Sequence, residues 1–213
     1  MQRKHLFSIL LFMSSITSYA SVSPLAISIF PFFQFPPDNW TVAGVRTSLF
    51  FGEHDNLYGV DLGIIGNITQ KDFFGMGMAF GFNKTKDANI VAAQLAGVTN
   101  INSGTVNVVG LQLAGIANVN SGNTNIIGFQ AAMGANYNSK GRVLGLQLGG
   151  ANLGPGTSIY GIQIGGFNRA DSVFGLQLGV VNMAKALHGL QIGLLNFNSS
   201  GPLPFFPVLN FGI

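Results

Sequence analysis

The sequence predicts an all-β repeat protein, and three observations predict it. A glycine-leucine-glutamine-leucine-glycine-x-x-asparagine motif recurs along most of the chain, residues alternate strictly inside it, and turn-forming residues separate the copies. The clearest copies are Gly145-Leu-Gln-Leu-Gly-Gly-Ala-Asn152, Gly161-Ile-Gln-Ile-Gly-Gly-Phe-Asn168, Gly175-Leu-Gln-Leu-Gly-Val-Val-Asn182 and Gly189-Leu-Gln-Ile-Gly-Leu-Leu-Asn196. Three earlier copies, centred on Gln94, Gln112 and Gln130, carry one extra residue between glutamine and asparagine. Further upstream, Gly77, Asp61 and Arg46 hold the central position. Numbered at their centres, the ten units are 15, 16, 17, 18, 18, 17, 16, 14 and 14 residues apart, a progression too smooth for chance.

The alternation assigns each unit to a strand. Around Gln177, Leu176 and Leu178 fall on one face, and Gly175, Gln177 and Gly179 on the other. A helix here would hold two glycines per unit, each costing about 1 kcal/mol relative to alanine. Residues 102–104, 120–122, 138–141 and 152–156, rich in asparagine, serine and glycine, read as turns. Charges fall between motifs, from Lys71 and Asp72 to Arg169, Asp171 and Lys185; within the motifs only Arg46 and Asp61 are charged. Because those two hold equivalent places in consecutive units, they are expected to form a structural ion pair, in preference to a lumen gate.

Two architectures place one strand in every such unit: an antiparallel meander closed into an outer-membrane-type β-barrel, and a β-solenoid. The motif reads the same in both directions, which suits antiparallel neighbours, and the variable spacing suits hairpins. The barrel is therefore the expected fold, with about twelve strands counting terminal strands at 25–35 and 205–213. Its leucines, isoleucines and valines would face lipid, and its glutamines a lumen. In the solenoid, leucine would lie inside and asparagine or glutamine would form ladders along the axis. Short connections, weak aromatic girdles and a chain ending in Ile213 count against the barrel.

Residues 1–20 read as a cleaved signal peptide. Arg3, Lys4 and His5 precede the apolar run from Leu6 to Met13, and small residues Ser18 and Ala20 mark a cleavage site before Ser21. Residues 21–213 then form one β-repeat domain, with repeat units at about 41–200. Without Arg3 and Lys4, eight basic residues face seven acidic ones, so no basic stripe for nucleic acid remains. There is no cysteine, hence no disulfide and no lipid attachment through a thiol.

The repeats resemble those of bacterial surface-repeat proteins of Gram-negative envelopes. The segments from Pro24 to Pro31 and from Pro207 to Phe211 are similar to that family's opening and closing segments, so the resemblance spans nearly the whole mature chain. It implies an exported cell-envelope protein at the surface or in the outer membrane, with lipid as a partner. No catalytic residue or defined ligand comes with it.

The residues themselves point away from catalysis and from cofactors. His54 lies between Glu53 and Asp55, which reads as a solvated turn and not as a metal site. Nothing marks Ser48, His54 and Asp55 as a hydrolytic set, and His188 reads as a turn or interface residue. No helix follows the glycines, as a phosphate loop would require. The motif centres Arg46, Asp61, Gln94, Gln112, Gln130, Gln147, Gln163, Gln177 and Gln191 are expected to be structural. The expected role is that of a structural, surface-exposed or narrow-pore barrel; the alternative is a secreted solenoid acting as an adhesive or interaction surface.

Overall fold

A computed structural model describes residues 21–213; the expected signal peptide lies outside them. The chain winds as a parallel β-solenoid. Its strands are β1 (Val22–Phe30), β2 (Phe33–Phe35), β3 (Thr41–Ser48), β4 (Phe51–Gly63), β5 (Gly66–Ala79), β6 (Phe82–Ala96), β7 (Thr99–Asn102), β8 (Val106–Ala114), β9 (Ala117–Asn198) and β10 (Phe205–Gly212). The long β9 is extended chain that continues through the remaining coils.

The expected barrel is overturned by the pairing. Strands β3 to β9 stack in parallel, each against the next coil. The path runs from β2 at one end to β10 at the other, and the two ends do not meet. Antiparallel pairing is confined to these ends, where β2 folds back on β1 and β10 on the last coil. The repeat frame itself agrees with the register: Arg46 is the Cα partner of Asp61, Asp61 of Gly77, Gly77 of Gln94, Gln94 of Gln112, and Gln112 of Gln130.

One coil explains the rest. In the unit of Gln112, Asn100, Asn102, Val106, Val108, Gln112 and Ala114 are buried, while the residues between them turn outward. The chain bends at residues 103–105 and again at 115–116, where it leaves the strands. The extra residue of the early units sits at this second bend and at its equivalent, residues 97–98, so it is not a bulge within a strand. Position four before each centre supplies one apolar residue per coil, including Leu57, Ile90, Val108, Ile126, Val143 and Ile159, and these stack into a thin core.

The motif's two-way symmetry is only apparent. The glycine two places before the centre has positive φ, +137° at Gly161 and +139° at Gly175, whereas the glycine two places after it does not. Positive φ is a region that side chains with a Cβ avoid. A Cβ on Gly161 would also lie 2.1 Å from the carbonyl oxygen of Gly145 in the coil before. The first glycine thus lets successive coils stack closely within the strand, and its place in the motif carries no information about strand direction. Ala92 breaks the column and adopts φ 115°. Gly161→Ala is expected to destabilise by about 1–3 kcal/mol and Ala92→Gly to stabilise by about 1 kcal/mol, from the strain each adds or removes. Chemical denaturation of the two variants checks both signs.

Candidate functional site

The interior holds amides where most proteins hold hydrocarbon. Among the described residues, 31 buried residues are polar or charged and 19 are hydrophobic, while 36 large hydrophobic residues are exposed. The polarity of an ordinary soluble domain is inverted.

The buried amides form ladders. Gln112 donates to Gln94 at 2.9 Å, and Gln130, Gln147, Gln163, Gln177 and Gln191 each donate at 2.7 Å to the glutamine of the preceding coil. A parallel ladder of asparagines runs through Asn67, Asn83, Asn100, Asn118, Asn136, Asn152, Asn168, Asn182 and Asn196 at 2.8–2.9 Å. Its donors point the other way, toward the following coil. The early coils add a third ladder, Asn102 to Asn120 to Asn138, which exchanges hydrogen bonds with the glutamines. Asn102, Asn120, Asn138 and Asn152 were expected in turns; they point inward because a buried amide finds both partners there.

The motif-centre residues therefore all lie on the axis, all buried. Among the described residues no water-filled lumen surrounds the glutamines, and the leucines that flank the centres are not inside: Leu190 and Leu178 are exposed, while the buried Leu57 and Leu187 stand four places before a centre. Both face assignments that placed glutamine in a hydrated lumen or leucine in a core are corrected by period-two alternation read from the buried amide. Replacing Gln177 by leucine strands the Oε1 of Gln163 and leaves the Nε2 of Gln191 only the Phe197 carbonyl at 3.0 Å, and an unsatisfied buried amide group costs about 1–3 kcal/mol. Gln177→Leu is therefore expected to lower stability by about 2–4 kcal/mol, and Leu176→Arg by less than about 1 kcal/mol. A melting series in which Leu176→Arg is the more damaging would reverse this assignment.

Arg46 and Asp61 meet as the repeat frame requires. Nε and Nη2 of Arg46 donate to the two carboxylate oxygens at 2.8 and 2.6 Å, and both side chains are buried. Nη1 donates to the Ile68 carbonyl at 3.0 Å and lies 3.2 Å from Nδ1 of His54. With Nδ1 accepting, Nε2–H is free to donate to the Pro36 carbonyl, 3.2 Å away. That arrangement suits a neutral imidazole, and burial followed by the Arg46 charge pushes the His54 pKa down to about 4. Burial raises the Asp61 carboxyl, and Arg46 opposes the rise. His54 is thus a buried link between the first coils, where the sequence suggested a solvated turn. Ser48, though buried, has no hydrogen bond to it. No three potential ligands among the described residues converge as a metal site.

Removing one member of the pair leaves a buried charge alone, which costs about 3–5 kcal/mol. Arg46→Gln and Asp61→Gln are each expected to destabilise on that scale, and the double variant by much less, because it restores amides like those of later coils. A double-mutant cycle measures the coupling; additive effects would exclude it.

Two outward features remain. Among the described residues all outward charges stand between five and ten residues before the next centre, so they gather at and just beside the bend at residues 103–105 and its equivalents. A depression of about 900 Å³ lies there, lined by Asn107, Asn123, Asn125, Lys140, Arg142 and Tyr160. Tyr160 stacks on Phe174, and Phe174 on His188, with centroids 4.8 and 4.4 Å apart, so His188 belongs to an outward ring ladder.

At the other bend the outside is concave and apolar. In the early coils a furrow of about 770 Å³ has Leu62, Met78 and Leu95 on one wall, Ile64 and Phe80 on the other, and Gly63, Ala79 and Ala96 between them. In the last coils, equivalent positions line a furrow of about 540 Å³, with Leu178 and Ile192 facing Val180 and Leu194 across Gly165, Gly179 and Gly193. This feature was missed in the sequence. Its trace was the small residue two places after every centre, from Ser48 through Ala114 to Gly193.

The fold and its ladders define a parallel β-solenoid with an amide core. No family model, curated protein or solved structure matches the chain.

Proposed function

We propose that the protein is an exported β-solenoid of the cell envelope that acts as an adhesive or interaction surface and not as a catalyst. The observation that carries this reading is the inverted polarity: residues such as Leu144, Ile162, Phe174 and Leu190 stand exposed in columns that run from coil to coil. Contiguous apolar surface beyond a few hundred Å² marks an interaction site. Leucine outside is not needed to hold the fold, since the amide ladders and the column beneath Val108 and Ile126 do that. The leader-like segment at 1–20 supports export. The charged groups at the 103–105 bend keep one edge of the rod compatible with water.

Fractionation of cells expressing the full chain tests the reading. The expected result is a mature protein beginning at Ser21 that sediments with the envelope and is released by detergent. Leu176→Lys/Leu190→Lys is expected to fold, by circular dichroism, and to shift into the soluble fraction. Uncleaved protein in the cytoplasm, or a soluble mature protein indifferent to the double substitution, would overturn it.

A further inference from the structure

We infer that the apolar furrow is a lipid site: the solenoid lies on a phospholipid bilayer with the furrow side sunk among the acyl chains and the charged bend in water. This rests on the interaction-surface reading and names its partner. Three observations favour lipid over a second protein copy.

First, the segregation is complete around the coil. From three residues before each centre to five after it, no outward position carries Asp, Glu, Lys or Arg, whereas the outward charges all gather at the other bend. A body divided in this way belongs at the boundary of water and hydrocarbon, as an amphipathic helix does. Second, the apolar surface turns a corner. It covers the outward residues on both sides of the furrow, such as Leu178 and Ile192 before the bend and Leu195 after it. A rigid second copy covers one side of a corner; fluid chains cover both. Third, the backbone is ready for hydrocarbon. Within the stack β4, β5, β6 and β8 are each paired in parallel with a neighbour on either side, so their backbone polar groups are taken up by the ladders, and the open edges are those of the terminal strands β2 and β10. That is the condition a chain must meet to sit in lipid.

The furrow gives the acyl chains a place. Its floor is of small residues, Gly165, Gly179 and Gly193 in the last coils, and its walls are branched aliphatic side chains that stand out from it. Val180 is 53% and Leu194 66% exposed, so neither is used by the interior. At about 770 and 540 Å³ the two stretches have the size of small-molecule sites, but they are open along the axis, as suits chains entering from a bilayer. The C-terminal strand adds to the same surface, with Val208 lining the furrow's end.

The test uses the mature full chain with tryptophan as a depth probe, in a Trp40→Phe background. One variant carries Val180→Trp in the furrow wall and another Ser172→Trp beside the charged bend. Each is mixed with phosphatidylglycerol–phosphatidylethanolamine vesicles whose chains are brominated, since bromine quenches only tryptophan that reaches the hydrocarbon. Quenching at position 180 and not at 172 is expected. Val180→Lys/Leu194→Lys, with circular dichroism unchanged, is expected to weaken vesicle binding by at least about tenfold. Equal quenching at both positions, quenching at neither, or a detergent-free dimer that shields position 180 would overturn the lipid assignment. If the protein still sediments with the envelope in those cases, the interaction-surface reading stands without it; if it is soluble in the cell as well, both readings fall.

Discussion

The structure depends on one interaction, the hydrogen bond from a buried glutamine to the glutamine of the neighbouring coil. A primary amide has two donors and an acceptor with two lone pairs, and stranding it in a dry interior is costly. In a parallel stack at strand spacing the cheapest partner is another amide at the same position one coil away. The ladder therefore requires what the sequence has: the same residue, in the same frame, in each successive coil. Gln163, at 2.7 Å from both Gln147 and Gln177, is held on both sides in this way. Leucine cannot replace it without orphaning the Gln147 oxygen and leaving the Gln177 amide only the Met183 carbonyl at 3.4 Å, while the outward leucines answer to no such demand.

The ladders also account for their own ends. Glutamine amides donate toward the N-terminus and asparagine amides toward the C-terminus, so the two rows of side-chain dipoles oppose each other. Each row must finish with an oxygen that no following amide reaches. Those oxygens are Asn67 Oδ1 at one end and Gln191 Oε1 at the other, both without a hydrogen-bond partner. At the first end, Gly77 offers no side-chain acceptor, so the Gln94 amide keeps only the 3.2 Å bond to Asn102 that Gln112 and Gln130 make to Asn120 and Asn138 as well, and Arg46 with Asp61 replaces amide pairing by charge pairing. At the last end, Asn210 of the antiparallel β10 sits opposite Gln191 but spends its own oxygen on the Phe211 amide. A repeat with a direction needs different caps at its two ends, and the deviant residues at 46, 61 and 77 belong to one of them.

Much of this was legible before the fold was known. Period-two alternation gave the strands, and numbering the centres gave the register that pairs Arg46 with Asp61 and Gln112 with Gln130. Strand direction was not legible. The motif's symmetry pointed to antiparallel neighbours, yet Gly161 and Gly165 sit at the same distance from Gln163 for different reasons: the first takes φ +137°, and the second faces the asparagine ladder, where a Cβ would lie 2.7 Å from the Asn152 amide nitrogen. Composition treats the two glycines as one signal; the backbone does not. His54 was misread for a similar cause, since adjacent Glu53 and Asp55 suggest a wet turn while alternation sends the middle residue inward to Arg46.

That leucine seeks the interior, as the solenoid alternative assumed, is a rule about sides and not about residues; the barrel expectation had the motif leucines outward, and outward is where Leu178 and Leu190 lie. Burial favours whichever group gains most from leaving its surroundings. Where water lies outside, that is leucine, at about 25 cal/mol per Å². Where hydrocarbon lies outside, leucine gains nothing by moving in, and amides gain a great deal by pairing away from it. A chain that places Gln177 at 0% exposure and leaves Leu190 at 43% has its polar groups in the one location that satisfies them in either medium. The coil can then hold its shape in water through its ladders while offering the outer leucines to an apolar phase. Its low charge and its repeat follow together: amides stacked every 14–18 residues make the interior self-sufficient, and the exterior is free to match its surroundings.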